Sequence, residues 1–217
     1  MTDLKKNLEK INQSSDSLKK LREINSGIKH FHEHTHILHD IRTFLGEKDV
    51  NFVEIGSYLG SSACLMLGHD LNTNVTCIDP LHLHFPGFED QEAALRYNLD
   101  SNNPYSRDYK IYKNLSTDSS VLDSLEDADI LHIDGNHTYD VVTQDFDLYK
   151  DKVRSGGFIL FDDYHDYKYS PEVKPAVDHI VSNLDLSKFE DIGCLDNHHK
   201  LPTEANSTYS NYILHRI

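Results

Sequence analysis

The chain has 217 residues, a formal net charge of −15 at pH 7 and three cysteines. This length suits one α/β domain plus an extension, and the strong negative charge disfavours nucleic acid and anionic membrane surfaces as partners, because no local basic patch offsets it. The cysteines are odd in number and widely spaced, no apolar run approaches a membrane span, and the first residues lack the apolar core of a signal peptide, so we expect a reduced, cytoplasmic protein.

The first part of the chain has the pattern of a helical extension. Leucine and isoleucine recur at helical spacing through Thr2–Ile28, with an interruption at Gln13–Ser17, which predicts two short amphipathic helices. We therefore divide the chain into a helical N-terminal extension, residues 1–48, and a main domain, residues 49–217. The extension could cap the main domain, cover a substrate or contribute to a homo-oligomer contact, and the sequence does not choose among these roles.

The stretch Lys29–Ile41 is rich in histidine. On a helix His32, His36 and His39 would share one face, whereas on a strand His30, His32, His34 and His36 would line one side. A metal site here is conceivable, but no cysteine or patterned acid completes a ligand set. A polar helix or loop that faces solvent or substrate hydroxyls is the favoured interpretation.

A buried strand, a tight turn and a helix follow one another at residues 51–67. The strand Phe52–Ile55 carries one acid, Glu54, and breaks at Gly56 before the helix-compatible Ser61–Leu67. A turn of this kind lets backbone N–H groups face a polar ligand at close range, although an ordinary β–α corner has the same pattern.

The next strand, Val75–Asp79, ends in an acid. Asp79 follows the glycine turn by roughly 20 residues, where a carboxylate can bind the two hydroxyls of a ribose. The pair of segments therefore predicts a nucleoside site. The glycine spacing of a dinucleotide site is not met and no Walker lysine follows, which disfavours a nicotinamide oxidoreductase and a phosphate-binding loop.

The rest of the chain alternates predicted helices and strands. Loop His82–Gly87 should border the ligand site, so His82 and His84 either reach substrate or lie on the surface. Ser116 and Thr117 precede a predicted helix, where either could act as its N-cap. A polar loop is predicted at 194–208. The other predicted elements are helix Glu89–Leu99, strand Tyr109–Asn114, strand Asp129–Asp134, helix Asp140–Lys152, strand Phe158–Phe161, helix Glu172–Asn183, strand Lys188–Gly193 and strand Tyr209–Ile217.

Three acids end two of these strands. Asp134 follows the fourth strand, and Asp162 and Asp163 follow the fifth. Carboxylates gathered in one crevice repel each other, so a divalent cation with oxygen ligands, such as Mg²⁺, Mn²⁺ or Ca²⁺, is expected there. The alternative is that Asp163 caps the next helix while Asp162 bonds to local backbone.

The segments EIGSYLGSS, ADILHIDGNHTY and GGFILFDDY together resemble class I S-adenosylmethionine-dependent methyltransferases. They are most similar to the branch that includes the macrocin and mycinamicin sugar O-methyltransferases and the cephalosporin-hydroxylase-like proteins. The resemblance implies a Rossmann-like, doubly wound, seven-stranded α/β sheet whose last strand is inserted antiparallel. Tyr58 departs from the wider superfamily, in which a second glycine is common at this position.

The resemblance also implies where S-adenosylmethionine binds. Glu54 would lie near its amino-acid end, the glycine turn against its body and Asp79 on its ribose. The residues expected to contact the donor are Glu54, Gly56, Ser57, Tyr58, Ser62, Asp79, Ser116 and Asp134.

For the chemistry, the resemblance implies methyl transfer to a hydroxyl of a sugar, glycan or other small polyhydroxy acceptor, assisted by a divalent cation, Mg²⁺ above all. Asp134, Asp162 and Asp163 match the metal positions, and His137 matches the general base of one such enzyme. Some relatives have an aspartate as base where this chain has Asn136, which cannot act as one. His137 could instead cap the helix that starts near Thr138. The alternatives for function are a non-catalytic or accessory protein of the same fold, and N-methylation of an amino sugar.

Overall fold

A computed structural model describes residues 2–24, 33–84, 87–195 and 210–217. Its centre is a seven-stranded sheet in the order β3-β2-β1-β4-β5-β7-β6, in which β7 runs antiparallel to both neighbours and the pairs from β3 to β5 are parallel. The strands are β1 Val50–Ile55, β2 Thr73–Ile78, β3 Tyr109–Tyr112, β4 Ala128–Ile133, β5 Val153–Phe161, β6 Phe189–Gly193 and β7 Tyr212–Arg216. This confirms the predicted doubly wound sheet with its last strand inserted antiparallel.

The order of the strands reverses between β1 and β4. The chain moves outward from β1 to β2 and β3, then returns to place β4 on the other side of β1. All six residues of β4 are buried, as expected for a parallel strand covered on both faces. In open α/β sheets ligands bind beyond the carboxyl ends of the strands at such a reversal, so the topology places a site after Ile55 and Ile133.

Helices cover the sheet. The α-helices are α1 Asp3–Ser14, α2 Ser17–Glu23, α3 Ile37–Phe44, α4 Ser61–Leu67, α5 Gln91–Ser101, α6 Ser119–Ser124, α7 Tyr139–Tyr149 and α8 Val173–Ser182, with 3₁₀ helices at Glu33–His36 and Lys150–Lys152. Asp118 caps α6, because its side chain accepts a hydrogen bond from the Ser120 backbone N–H. Ser116 and Thr117 are therefore not the N-cap of that helix.

The N-terminal helices pack into the main core. Helices α1 and α2 confirm the two predicted helices, and the fully buried Leu8, Ile37 and Ile41 belong to the same apolar cluster as Phe52 and Phe158 of the sheet. Burying each large aliphatic side chain contributes roughly 1.5–3 kcal/mol, so the extension is a substantial part of the fold's stability.

Some predicted features differ from the structure or lie outside it. Strand β5 begins at Val153 rather than Phe158, because an irregular register beside Ala128 lets the strand continue through Arg154–Gly157. His30, His32, Phe85, Pro86 and most of the predicted loop at 194–208 fall outside the described residues. Within the described ranges, no helix has the length and apolar character needed to cross a bilayer. The cysteines are all free thiols.

Candidate functional site

A cavity of about 810 Å³ opens where β1, β2 and β4 end. This is the edge of the sheet at which the strand order reverses. Its wall contains every residue predicted to contact the methyl donor, namely Glu54, Gly56, Ser57, Tyr58, Ser62, Asp79, Ser116 and Asp134. The structure thus brings these residues to one cavity, and their contacts with a donor stay a prediction.

Gly56 makes the turn after β1 sterically feasible. Its φ is +86°, and a Cβ atom there would lie 2.0 Å from the backbone oxygen of Asp134. The Gly56 N–H donates to the Ile78 carbonyl, and the Asp134 N–H donates to the Ile55 carbonyl. The turn is therefore held between β2 and β4, with no room for a side chain at its first residue.

The Asp79 carboxylate is held by backbone from two loops. The Tyr58 N–H donates to one carboxylate oxygen and the Leu81 N–H to the other, each at 2.8 Å. Tyr58 and Leu81 both have left-handed backbone conformations, with φ of 47° and 49°, which are uncommon for residues other than glycine. Because a carboxylate oxygen has two acceptor positions, Asp79 keeps capacity for two hydroxyl donors in the cavity.

Behind the glycine turn, a buried chain of ionisable groups crosses from β1 to β5. His132 Nδ1 lies 3.0 Å from Glu54 Oε1, and His132 Nε2 lies 3.6 Å from Asp162 Oδ1. Burial alone would lower the pKa of His132, but the nearby Asp162 and the hydrogen bond to Glu54 raise that pKa well above its usual range. The two acids thus favour the charged form of His132 against its burial.

His137 joins the acid of β4 to an acid after β5. Its Nε2 lies 3.2 Å from Asp134 Oδ1, and its Nδ1 lies 2.7 Å from Ser170 Oγ and 3.5 Å from Asp163 Oδ2. Ser170 donates its own hydroxyl proton to Asp163 Oδ2 at 2.9 Å, so Nδ1 of His137 must donate to Ser170. His137 does not cap α7, whose first N–H instead donates to Glu172.

The charge state of His137 follows from these contacts. Burial opposes its protonation, but the hydrogen bond to Asp134 and the charges of Asp163 and Asp162 raise the pKa of His137 to about 9. Burial and the charge of Asp162 also raise the pKa of Asp134. Donation from both ring nitrogens agrees with an imidazolium at neutral pH.

The three predicted metal ligands do not form one compact group. Among the residues that the structure describes, two groups have ligand atoms within 4.8 Å of one another: His34 with Asp162 and Asp163, and Glu54 with His132 and Asp134. The predicted set is thus divided between neighbouring groups, which the 3.6 Å approach of His132 Nε2 to Asp162 Oδ1 connects. Asp163 adopts a left-handed φ of 54°, and the N-cap of the next helix is Glu172, so Asp163 does not cap it.

His36 and His39, the other described histidines of the stretch Lys29–Ile41, make contacts away from these acids. His36 Nε2 accepts a hydrogen bond from Asn12 Nδ2 at 2.9 Å, and His39 stacks at 4.1 Å between ring centroids on His69. Neither belongs to a candidate metal group among the residues that the structure describes.

Asp145 is a cavity residue that sequence reasoning missed. It lies on α7, where Ser116 Oγ donates to its Oδ1 at 2.6 Å, and burial raises its pKa to about 6. Its Oδ2 is buried without a hydrogen-bond partner among the described residues. The only sequence signal is an acid within the apolar stripe formed by Val142, Phe146 and Tyr149.

Comparisons with known proteins agree with this geometry. Residues 53–164 match the protein family described as a methyltransferase domain. A protein of Acanthamoeba polyphaga mimivirus, described as uncharacterized protein R132, is 39% identical over 176 residues, which are 77% of each chain.

Solved structures share the fold at low sequence identity. An O-methyltransferase from Bacillus cereus in complex with S-adenosylhomocysteine has a TM-score of 0.60 and 16% identity, over 94% of this chain and 91% of that one. An rRNA methylase from Streptococcus thermophilus has a TM-score of 0.62 and 13% identity, over 87% of this chain and 99% of that one. A methyltransferase from Podospora anserina, bound to S-adenosylhomocysteine, has a TM-score of 0.60 and 14% identity, over 94% and 88%.

Because these neighbours differ in acceptor, the shared fold carries no information about what is methylated. The match across residues 53–164 covers about half of the chain and includes the glycine turn, Asp79 and the acids of β4 and β5. Together with the strand order, it shows that this chain belongs to the methyltransferase-domain family and has the fold of the class I S-adenosylmethionine-dependent methyltransferases.

Proposed function

We propose that this protein transfers a methyl group from S-adenosylmethionine to a hydroxyl of a small polyhydroxy acceptor, such as a sugar or glycan. The observation that carries the proposal is one cavity whose wall contains the glycine turn, Asp79, Glu54 and Asp134. Glu54 and Asp134 also form a candidate metal group with His132 behind the wall. The net charge of −15 supports a small acceptor rather than nucleic acid or an anionic membrane surface.

The cavity offers a complementary group for each part of the donor. Asp79, oriented by two backbone N–H groups, would accept hydrogen bonds from the ribose hydroxyls. Glu54 Oε2, Ser57 Oγ and Ser61 Oγ are buried without hydrogen-bond partners among the described residues, which suits the charged amino-acid end. Buried polar atoms of this kind are costly unless a ligand satisfies them.

The two carboxylates that follow β5 fit a divalent cation. Asp162 and Asp163 are buried close together, and His132 Nε2 is a further buried polar atom with no hydrogen-bond partner in the described part of the chain. The predicted ligands are Asp134, Asp162 and Asp163, with Mg²⁺ as the cation implied by the resemblance. Such a cation, when bound, holds neighbouring hydroxyls and makes one of them more acidic.

His137 is proposed as the general base. Its side chain is 28% exposed, so it borders the solvent-accessible part of the site, and it lies beside Asp134 and Asp163. The acceptor oxygen would gain the methyl group from the sulfonium and lose its proton to an imidazole nitrogen. His137 has to be neutral for that step, so one of its two donated hydrogen bonds must be given up first.

N-methylation of an amino sugar is the second candidate. A neutral amine attacks through its own lone pair and requires no base before transfer. Both ring nitrogens of His137 donate hydrogen bonds, and an imidazolium of this kind cannot accept a proton, which supports this candidate. Identification of the methylated atom by NMR of the product separates the two candidates.

Donor binding is the first test. Calorimetry should show that S-adenosylhomocysteine binds the intact protein and raises its melting temperature, since a ligand specific for the folded state stabilises it. Asp79→Asn should weaken binding roughly 10- to 100-fold, as expected for lost hydrogen bonds to a charged acceptor. The exposed acid Asp123 provides the control, because Asp123→Asn should bind like the wild type. Absence of binding to the wild type would overturn the methyltransferase proposal.

A further inference from the structure

Among the described histidines of the stretch Lys29–Ile41, His34 lies beside Asp162 and Asp163. It lies in the 3₁₀ helix Glu33–His36 of the N-terminal extension, and its side chain is 1% exposed. Its Nε2 is 2.7 Å from Asp162 Oδ1 and 3.8 Å from Asp163 Oδ1. The extension therefore supplies a ligand-type side chain to the carboxyl ends of the strands.

The position of His34 is built from separate parts of the fold. Its backbone carbonyl accepts a hydrogen bond from Asn211 Nδ2 at 3.4 Å, next to the start of β7. Thr35, its neighbour, lines the large cavity, and Ile37 is fully buried in the core. The hydrogen bond from Asn211 and the burial of Ile37 thus fix the segment that carries the imidazole.

The surroundings of His34 favour a bound cation. Glu54, Asp162 and Asp163 are each at most 5% exposed in their side chains, and burying several carboxylates together is costly unless positive charge offsets them. His132 Nε2 is a second, independent sign, since it is a buried polar atom 3.6 Å from Asp162 Oδ1 that makes no hydrogen bond within the described ranges. A buried polar nitrogen thus lies beside the cluster without a hydrogen bond of its own.

We propose that His34 Nε2, Asp162 and Asp163 are protein ligands of the divalent cation, so that the N-terminal extension completes the metal site. This inference rests on the proposed function, and it replaces Asp134 by His34 in the predicted ligand set. Atoms that share a metal at about 2.1 Å stand about 3–4 Å apart. The 3.8 Å separation of His34 Nε2 from Asp163 Oδ1 lies in that range, and a cation would replace the 2.7 Å hydrogen bond between His34 Nε2 and Asp162 Oδ1.

The proposed ligand set changes the expected metal. Imidazole nitrogen suits first-row transition metals, whereas an all-oxygen set suits Mg²⁺ and Ca²⁺. One nitrogen and two carboxylates therefore favour Mn²⁺, Fe²⁺ or Co²⁺ over Mg²⁺. Loss of the His34 imidazole should therefore reduce the difference in affinity between these metals and Mg²⁺.

The test uses Mn²⁺ as the probe on the full chain. Calorimetry should show that wild-type protein binds Mn²⁺ at least about tenfold more tightly than Mg²⁺. Pulsed EPR of the bound Mn²⁺ should show a ¹⁴N coupling from a directly bound imidazole. His34→Ala should abolish that coupling and weaken Mn²⁺ binding at least about tenfold, as expected for loss of a ligand. His84→Ala, which removes an exposed histidine, should change neither measurement.

The wild-type spectrum keeps the inference testable even if His34→Ala does not fold. Bound Mn²⁺ without ¹⁴N coupling in the wild type, or a coupling that persists in folded His34→Ala, would overturn it. Wild-type protein that binds no Mn²⁺ would overturn it as well. Binding of S-adenosylhomocysteine, measured on the same samples, separates these failures from failure of the methyl-transfer proposal itself.

Discussion

The protonation of His137 is decided by its neighbours. Because Asp163 accepts the Ser170 hydroxyl proton, Ser170 offers only a lone pair to His137 Nδ1. Asp134 accepts from the other nitrogen, so both ring protons are held by negative or acceptor groups. Any event that reduces the negative charge of these acids makes the loss of one proton easier, and a bound cation is such an event.

Replacing His137 tests its proposed role as base. His137→Ala should lower methyl transfer to a hydroxyl acceptor roughly 100-fold or more, because base catalysis typically contributes a factor of that size. Affinity for S-adenosylhomocysteine, measured by calorimetry, should change little, since His137 does not line the donor cavity. His179→Ala, which removes an exposed histidine of α8, serves as the control and should keep full turnover. A nearly normal rate in His137→Ala would assign the proton transfer to another group.

At the scale of elements, the site depends on a turn that leaves no room for a side chain. Gly56 combines a positive φ with a close approach to Asp134, whereas Gly46 has a similar φ of +74° and no atom within 4 Å of the point where a Cβ would stand. Substitutions at these two glycines therefore separate the effect of backbone strain from that of steric clash.

Alanine at each position should give different results. Gly46→Ala should cost about 1 kcal/mol of unfolding free energy, because alanine disfavours a left-handed backbone. Gly56→Ala should cost several times more, because the added carbon must displace the backbone at the end of β4, and donor binding should fall with it. Urea unfolding and S-adenosylhomocysteine calorimetry measure the two effects. Equal losses of stability would show that the turn can relax.

The elements were predictable because their signals are local. Apolar runs that end in an acid predicted β2 and β4, and an apolar run that breaks at a glycine predicted β1, so these predictions needed only neighbouring residues. His34 and Asp145 were not predictable in this way. His34 meets Asp162 across the chain, and the histidine-rich stretch gave several equivalent candidates. Asp145 meets Ser116 only because α7 packs beside the loop that follows β3. Long-range packing, which no periodicity encodes, selected both residues.

At the scale of the whole molecule, lowering the pH has two opposed effects on the free energy of unfolding. Protonation of exposed histidines reduces the magnitude of the −15 net charge and its self-repulsion. His39 and His69 act in the other direction, because they are buried side by side at 5% and 3% exposure. His69 Nδ1 accepts the Leu71 N–H, so the remaining proton lies on Nε2, facing Thr43, and the ring is neutral.

This buried pair predicts a loss of stability in mild acid. Burial lowers the pKa of His39 to about 4 and the pKa of His69 to about 3. The charge of Lys20 lowers both pKa values and that of Arg42 lowers the pKa of His69, whereas Asp70 opposes both shifts. The unfolded chain, with a histidine pKa near 6.5, therefore binds protons first. Stability is fully present above about pH 6.5 and falls as the pH drops toward 4, by up to about 2 kcal/mol for each histidine at pH 5.

The variant His69→Asn isolates this effect. The side-chain oxygen of the introduced asparagine can accept the Leu71 N–H in place of Nδ1 but does not titrate, so the variant should lose about 2 kcal/mol less unfolding free energy than the wild type between pH 7.5 and pH 5. Urea unfolding at the two pH values gives the comparison, and His179→Asn, at an exposed position, should follow the wild type. Parallel pH profiles for the wild type and His69→Asn would show that this histidine pair does not cause the acid sensitivity.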